Sequence, residues 1–387
     1  MALPAVTWPE LGGVRYMQPI RRRSVGLWLC VGLAVFLATD AAIFRSGWYF
    51  QWIEPLSALG QVRLALANAR AAPQDRQAVL VIGDSRVGEG FSAPLATAAA
   101  ERLGRPTAFV NAAVGGTNPR AWFYILRQIL ASDRRYAAVV MMAPSYHDND
   151  PLALADALTD IAFVHPLLGW ADVFDFPASF HPLAAKIEAM KAFVTEGSFY
   201  KTDVTNLLDD PQTRMQNVEL WRDHGVEWLG AYAGRAPSLA GLRADDATGA
   251  LSVPAGLLPL QTAGLAEYGK TLHAFAGRFP DNPGSAQYRR LWYGRIAALC
   301  AQAGVKLIVF RIPRGPLHSL VAADPQPTGT LADLQAGGRL ALLSATQFDD
   351  LERPEYFFDY LHLNSGGRVL FSGQLAEAVL QRLPPAK

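Results

Sequence analysis

The sequence has very little cysteine, two residues in 387, at Cys30 and Cys300. Cys30 falls in an apolar stretch of membrane type and Cys300 in a helical pattern of the soluble part, so the two are not expected to pair. No disulfide framework is available, and the fold must rest on a hydrophobic core. No Cys/His spacing has the form of a zinc site. An excess of either charge is also missing: 35 basic and 34 acidic side chains leave a net charge of +1. That balance gives nucleic acid no electrostatic footing. Internal repeats and low-complexity tracts are absent. What is present is apolar material, 51% of residues against 18% charged. It is enough for one large α/β domain with an insertion, or for two smaller domains.

The charge asymmetry that matters is local. Arg15, Arg21, Arg22 and Arg23 precede Ser24–Phe44, whose one charge is Asp40. A helix crosses a hydrocarbon core in about 20 residues, so this run is long enough to span. The basic leader, residues 1–23, predicts a cytoplasmic N-terminus and a single pass through the inner membrane over 24–44. The rest of the chain would then lie outside the cytoplasm, in the periplasm. Trp48, Tyr49, Phe50 and Trp52 suit an aromatic belt at the outer interface. Two readings compete: a cleavable signal peptide, with small residues around Ala38–Ala42, and a buried core helix. The length of the apolar run argues against the first and the arginine cluster against the second.

Residues 45–76 form a linker that reads as helical over Ile53–Arg70. Three strand-like runs follow, Ala78–Ile82, Thr107–Asn111 and Ala137–Met142, at the intervals of α/β alternation. Between them lie an alanine-rich helix, Ala93–Leu103, and a helix capped by Asn118 with Pro119 in its first turn. Ser92 reads as a cap before Ala93-Pro94. A long helical pattern, Ala286–Gln302, leads to a fourth strand, Val305–Ile312, and a closing helix covers about 367–383. Near-continuous apolar strands alternating with helices predict a central parallel sheet covered on both faces. Right-handed crossovers favour a flavodoxin-like three-layer sandwich. Residues 77–150 and 286–387 would be its two parts. Residues 151–285, which hold Trp170, Trp221, Trp228, His165, His181, His224 and His273, break the alternation and read as an insertion, a subdomain or lid. Val321–Leu340, rich in proline and glycine, reads as a mobile loop.

Chemistry gathers at two distant places. Gly83-Asp84-Ser85 closes the first strand, where a serine is presented at the carboxyl edge of the sheet. Asp359-Tyr360-Leu361-His362 stands just before the last helix. Together they supply a nucleophile, a base and an orienting acid in the chain order Ser85, Asp359, His362. Asp84 and Ser85 alone would also serve as a turn or cap, and Asp359 and His362 as a surface pair. A second oxyanion donor, beside the Ser85 N–H, falls to Gly115 or Gly116, where an ordinary left-handed turn is an equal reading. His147, Asp148 and Asp150 are better read as a polar loop than as a metal site, and no cofactor is expected. Arg86, Arg311 and Arg314 read as partners in ion pairs before they read as contacts to an anionic glycan.

In the placement of these two blocks the chain resembles the SGNH (GDSL-type) hydrolase superfamily, over residues 77–148 and 286–384. The resemblance implies a serine acyl-ester hydrolase or transferase with Ser85, His362 and Asp359 as triad. It also implies an asparagine oxyanion donor after the third strand. Here that block reads Met142-Ala143-Pro144-Ser145-Tyr146-His147-Asp148-Asn149 and departs from the family pattern, leaving Asn149, Ser145 or Tyr146 to fill the role. The anchor and the large insertion are similar to the extracytoplasmic O-acyltransferase-related branches, linked to acetylation of alginate and cellulose or D-alanylation of teichoic acid. The implied substrate is an acylated carbohydrate or a small acyl ester. The implied partners are the bilayer, through residues 24–44, and a membrane-bound acyl-transfer protein. The alternative is a non-catalytic glycan-binding or assembly component of an envelope polysaccharide complex. A phosphatase or nuclease is disfavoured by the lack of a metal cluster.

Overall fold

Strands of this chain form where β-branched and aliphatic residues run without interruption, and the burial follows. The computed structural model describes residues 22–148, 155–245, 248, 250–269, 283–317 and 326–384. Strand β1 (Gln77–Ile82) is buried after its first residue, β2 (Thr107–Asn111) until its last, and β3 (Ala138–Ala143) throughout. Two more strands complete the sheet, β6 (Lys306–Arg311) and the two-residue β7 (Ala341–Leu342). All pair in parallel, in the order β2-β1-β3-β6-β7. A small antiparallel hairpin, β4 (Arg243–Ala244) with β5 (Leu251–Ser252), stands apart.

Alternate residues of a strand face opposite sides, so strands buried at every position need cover on both. The helices supply it in two packed groups. One joins α4 (Ala93–Arg102) to the last helix, α14 (Ser365–Leu380); the other joins α2 (Ala58–Arg70), α5 (Pro119–Leu130) and α12 (Pro283–Gln302). Caps appear where the sequence places them. Ser92 accepts from Leu95 N and Asn118 from Arg120 N, each with a proline in the first turn.

Helix α1 (Arg22–Asp40) and the π-turn Ala41–Arg45 carry the apolar segment, and Val25–Arg45 is long and apolar enough to cross a membrane. Its last turn is built into the body. Asp40 is buried and accepts the backbone N–H groups of Glu196 and Gly197 at 3.0 and 2.8 Å. Arg45 donates to Ala192 O at 3.1 Å. The residues beyond do not form a free aromatic belt. Tyr49 is buried with Ile53, Leu59 and Tyr200 in a small second core, and its hydroxyl donates to Asp203 at 2.6 Å. Trp48 alone of the four is exposed.

Residues 155–245 are largely helical: α6 (Thr159–Val164), α7 (Asp175–Ala178), α8 (Leu183–Val194), α9 (Lys201–Asp209) and α10 (Pro211–Ala231), with the short α11 (Pro259–Thr262) beyond. Ile161, Phe163, Val164, Phe176, Phe180 and Phe193 belong to the same hydrophobic cluster as the strands. A buried ion pair, Arg120 with Asp160 at 3.0 Å, fastens α6 to α5, and Arg120 also donates to Ala155 O and Ser179 O. The segment expected to be a mobile loop contains helix α13 (Gly329–Ala336). Glycine and proline hid it, because its start is stabilised from far away: Asp148 accepts from Thr330 N and Oγ1, both at 2.8 Å. Residues 318–325 of that segment lie outside the described residues.

Candidate active site

The carboxyl edge of the sheet is where α/β folds place their ligands, and both sequence blocks arrive there. β1 ends at Ile82, and Gly83 then passes so close to β3 that a Cβ would lie 2.6 Å from Met142 Cγ and Val87 Cγ2. Asp84 caps the next helix, α3 (Ser85–Gly90), by accepting from Arg86 N, and its carboxylate pairs with the Arg86 guanidinium at 2.7 Å. Ser85 is thereby the first helical residue. Arg86 is engaged with its neighbour, in keeping with an ion-pair role.

Asp359 and His362 sit on a turn closed on itself. Phe358 N donates to His362 O at 2.8 Å, and Phe357 bridges Leu363. Asp359 Oδ1 accepts from the N–H groups of Leu361 and His362, both at 2.8 Å, which is the local turn aspartate favours. Asn364 follows as the cap of α14 and donates to Glu355 O. Polar ties then hold this helix against the serine helix: Arg368 Nη1 donates to Gly88 O at 3.2 Å, and Ser372 Oγ accepts from Ser92 N at 2.9 Å.

The outcome is a continuous chain of hydrogen bonds. His362 Nε2 is 2.8 Å from Ser85 Oγ, and His362 Nδ1 is 3.0 and 2.9 Å from the two carboxylate oxygens of Asp359. A carboxylate only accepts, so Nδ1 carries the proton and Nε2 turns its lone pair to the serine hydroxyl. Burial raises the Asp359 pKa, but the His362 contact and the Leu361 and His362 N–H donors outweigh it and hold the carboxyl below its ordinary value. The acid of the trio is therefore ionised near neutral pH.

A cleft of about 290 Å³ opens over Ser85, lined among others by Arg86, Gly116, Asn118, Trp122, Thr159 and Tyr288. Of the two oxyanion candidates, Gly115 lies against the serine, its would-be Cβ 3.5 Å from Ser85 Cβ. Gly116 has φ +75°, a left-handed turn conformation, and also lines the cleft. The Ser145 hydroxyl accepts from His147 N at 3.0 Å and its carbonyl from Arg289, in the cleft wall, at 2.7 Å. Tyr146 is buried, its hydroxyl 2.9 Å from Leu343 O and 3.2 Å from Val309 O, so it does not serve as an oxyanion donor. Asn149 lies outside the described residues.

Several wall residues went unread in the sequence. Tyr288, Arg289 and Tyr293 come from α12, and Thr159 from α6. Tyr288 donates to Asn118 Oδ1 at 2.5 Å, and Trp122 Nε1 to Thr117 Oγ1 at 2.9 Å. The one available signal was the aromatic and arginine grouping at Tyr288, Arg289 and Tyr293, of which helical spacing puts Arg289 and Tyr293 on one face. Arg311 and Arg314 converge on the fully buried Glu352, at 2.9 and 2.6 Å, and so belong to the framework. Trp221 and Trp228 pack edge to face on each other. Among the described residues, no group of three or more His, Cys, Asp or Glu is placed to hold a metal ion. No family model and no curated protein matches this chain.

Proposed function

We propose that the chain is an SGNH-type serine acyl-ester hydrolase or O-acyltransferase, anchored by α1 and acting outside the cytoplasm on acyl groups, acetyl above all, of an envelope glycan. The observation that carries the reading is the Asp359–His362–Ser85 chain, assembled from residues at opposite ends of the sequence. The strand order β2-β1-β3-β6-β7 supports a flavodoxin-like sandwich, whose ligands sit beyond the strand carboxyl ends. The anchor and the insertion support the O-acyltransferase-related branches, and the glycan extends that resemblance.

In this reading Ser85 Oγ attacks the acyl carbonyl carbon while its proton passes to His362 Nε2. Negative charge gathers on the former carbonyl oxygen, facing the backbone N–H groups of Ser85 and Gly115. Collapse breaks the ester bond, and the leaving alcohol takes the proton from Nε2. Water or a sugar hydroxyl then gives its proton to Nε2 and attacks the acyl-serine; the acyl–Oγ bond breaks, and Ser85 Oγ leaves with the proton from Nε2. Asp359 holds the imidazole ring and stabilises its transient positive charge.

The test is fluorophosphonate labelling of the full chain in detergent, read by intact mass. The full chain is required because Asp40 and Tyr49 are part of the body. Labelling that disappears in Ser85→Ala and His362→Ala supports the reading. A folded protein that neither labels nor cleaves p-nitrophenyl acetate sinks it. That outcome favours the non-catalytic glycan-binding role, which has one observation on its side: the Tyr146 hydroxyl is turned to Leu343 O and Val309 O.

A further inference from the structure

Helix α8 should bury one face and show charge on the other, but its outer face is apolar. Leu183, Ile187 and Val194 are 72%, 54% and 53% exposed, and with Lys191 they follow one another at intervals of three and four residues, a single stripe. Nearby, Trp170 is 66% exposed and Phe174 79%. The elements carrying them form one connected series: the turn Trp170–Asp172 packs on α7, α7 on α8, and α8 on the turn Glu196–Ser198. That last turn packs against Ala41–Arg45, the end of the apolar helix. Side chains of this size exposed together mark a surface that meets something.

The place of contact says what. The membrane-length segment runs to Arg45, yet Glu196 and Gly197 donate to Asp40, five positions before that end. At a helical rise of 1.5 Å per residue the body therefore reaches about 7 Å back along the segment, toward its apolar middle. A Cβ on Gly197 would lie 2.5 Å from Phe44 Cε2, so the turn is seated directly on the helix. The Arg45 guanidinium lies over the Trp170 ring, 4.6 Å from its centroid. An arginine and a tryptophan at a helix end are residues suited to the headgroup layer. Lys191 sits within the stripe and pairs with Glu188 at 2.5 Å; a lysine can lay its stem along apolar surface while its charge stays in water, so it does not break the surface.

We propose that Trp170, Phe174, Leu183, Ile187 and Val194 form a surface that dips into the lipid headgroup layer beside α1, so that the body rests on the bilayer instead of hanging from a tether. The occupant is lipid, because the patch is continuous with the segment read as crossing it. Apolar helix faces of this kind sink about 5–10 Å into the headgroup boundary, the depth that the Asp40 contact demands. The inference rests on the anchored reading of α1, and the experiment separates the two.

The full chain is reconstituted in phosphatidylcholine vesicles with and without lipids carrying a nitroxide near the headgroup or deep in the acyl chain. A nitrobenzoxadiazole label is placed on native Cys30, and, in a Cys30→Ser background, on Ile187→Cys, Val194→Cys and, as control, Leu103→Cys. Cys300 is buried and stays unlabelled. The expected result is about a twofold loss of emission at Ile187 and Val194 with the shallow quencher and none at Leu103. Strong quenching of Cys30 with Ile187 and Val194 as bright as Leu103 overturns the proposal and leaves the anchor standing, the patch then being open to a protein partner. An unquenched Cys30 overturns the anchor and the surface with it.

Discussion

A Cβ on Gly115 would sit 3.5 Å from the Cβ of Ser85 and 3.3 Å from Gln61 Oε1, so the glycine turn approaches the nucleophile with nothing but backbone between them. A developing oxyanion needs donors that close, and a branched side chain would fill the space. Gly115→Val is expected to lower kcat/KM for a small acyl ester about 100-fold, the scale of losing one oxyanion donor. Gly115→Ala should retain most of the activity. Steady-state kinetics beside circular dichroism checks this; full activity in Gly115→Val would remove the turn from the mechanism.

Asp359 makes both the ring contact to His362 and the turn that holds it. Asp359→Asn keeps the shape but offers the imidazole a different partner, and kcat is expected to fall about 10⁴-fold. Combining it with Ser85→Ala should add nothing, since groups acting as one unit are not additive.

The same carboxyl has a stability signature. Its folded-state pKa is lowered, against the upward push of burial, by His362 and the Leu361 and His362 N–H donors. The folded state therefore binds this proton less tightly than the unfolded chain does. The resulting stabilisation is fully present above the unfolded pKa and is lost as pH falls through the folded one. Urea melts of wild type and Asp359→Asn should differ near neutrality and converge in strong acid. A constant gap would show that the contact does not titrate.

Arg120 and Asp160 are both fully buried and 3.0 Å apart. Asp160→Asn would leave a guanidinium buried without its counter-charge, and a loss of about 3–5 kcal/mol is expected. Because Asp160 opens α6, whose first residue lines the cleft, limited proteolysis of the variant should first cut within residues 155–182.

Gly83 tests whether the motif glycine is a packing requirement. With the Met142 and Val87 side chains each 2.6 Å from any Cβ, Gly83→Ala forces them aside and should cost about 1–3 kcal/mol. An unchanged melting temperature would refute the close approach.

What the sequence made legible followed from local physics. Unbroken apolar runs located four of the five strands of the main sheet to within a residue or so, and Asn118-Pro119 and Ser92 announced two helix starts. The Ser85, Asp359 and His362 positions were readable because each sits on its own short turn beside a regular element. Strand β7 was missed because two residues carry no period, and α13 because its cap, Asp148, is remote in sequence. Tyr49 was misread as part of an aromatic belt because it finds Tyr200 and Asp203, partners that composition alone does not name. The cleft walls drawn from α12 were missed for a similar reason: a helical pattern shows that a face is buried, not what it is buried against.

Helix α6 gives this architecture a ruler. Thr159, its first residue, lines the cleft, while His165, immediately after its end, stacks on Phe199 beside the turn that grips Asp40. Six residues of helix cover about 9 Å. If α1 crosses the bilayer, so short a span keeps the cleft near the membrane surface, and whatever enters it must be reachable from there.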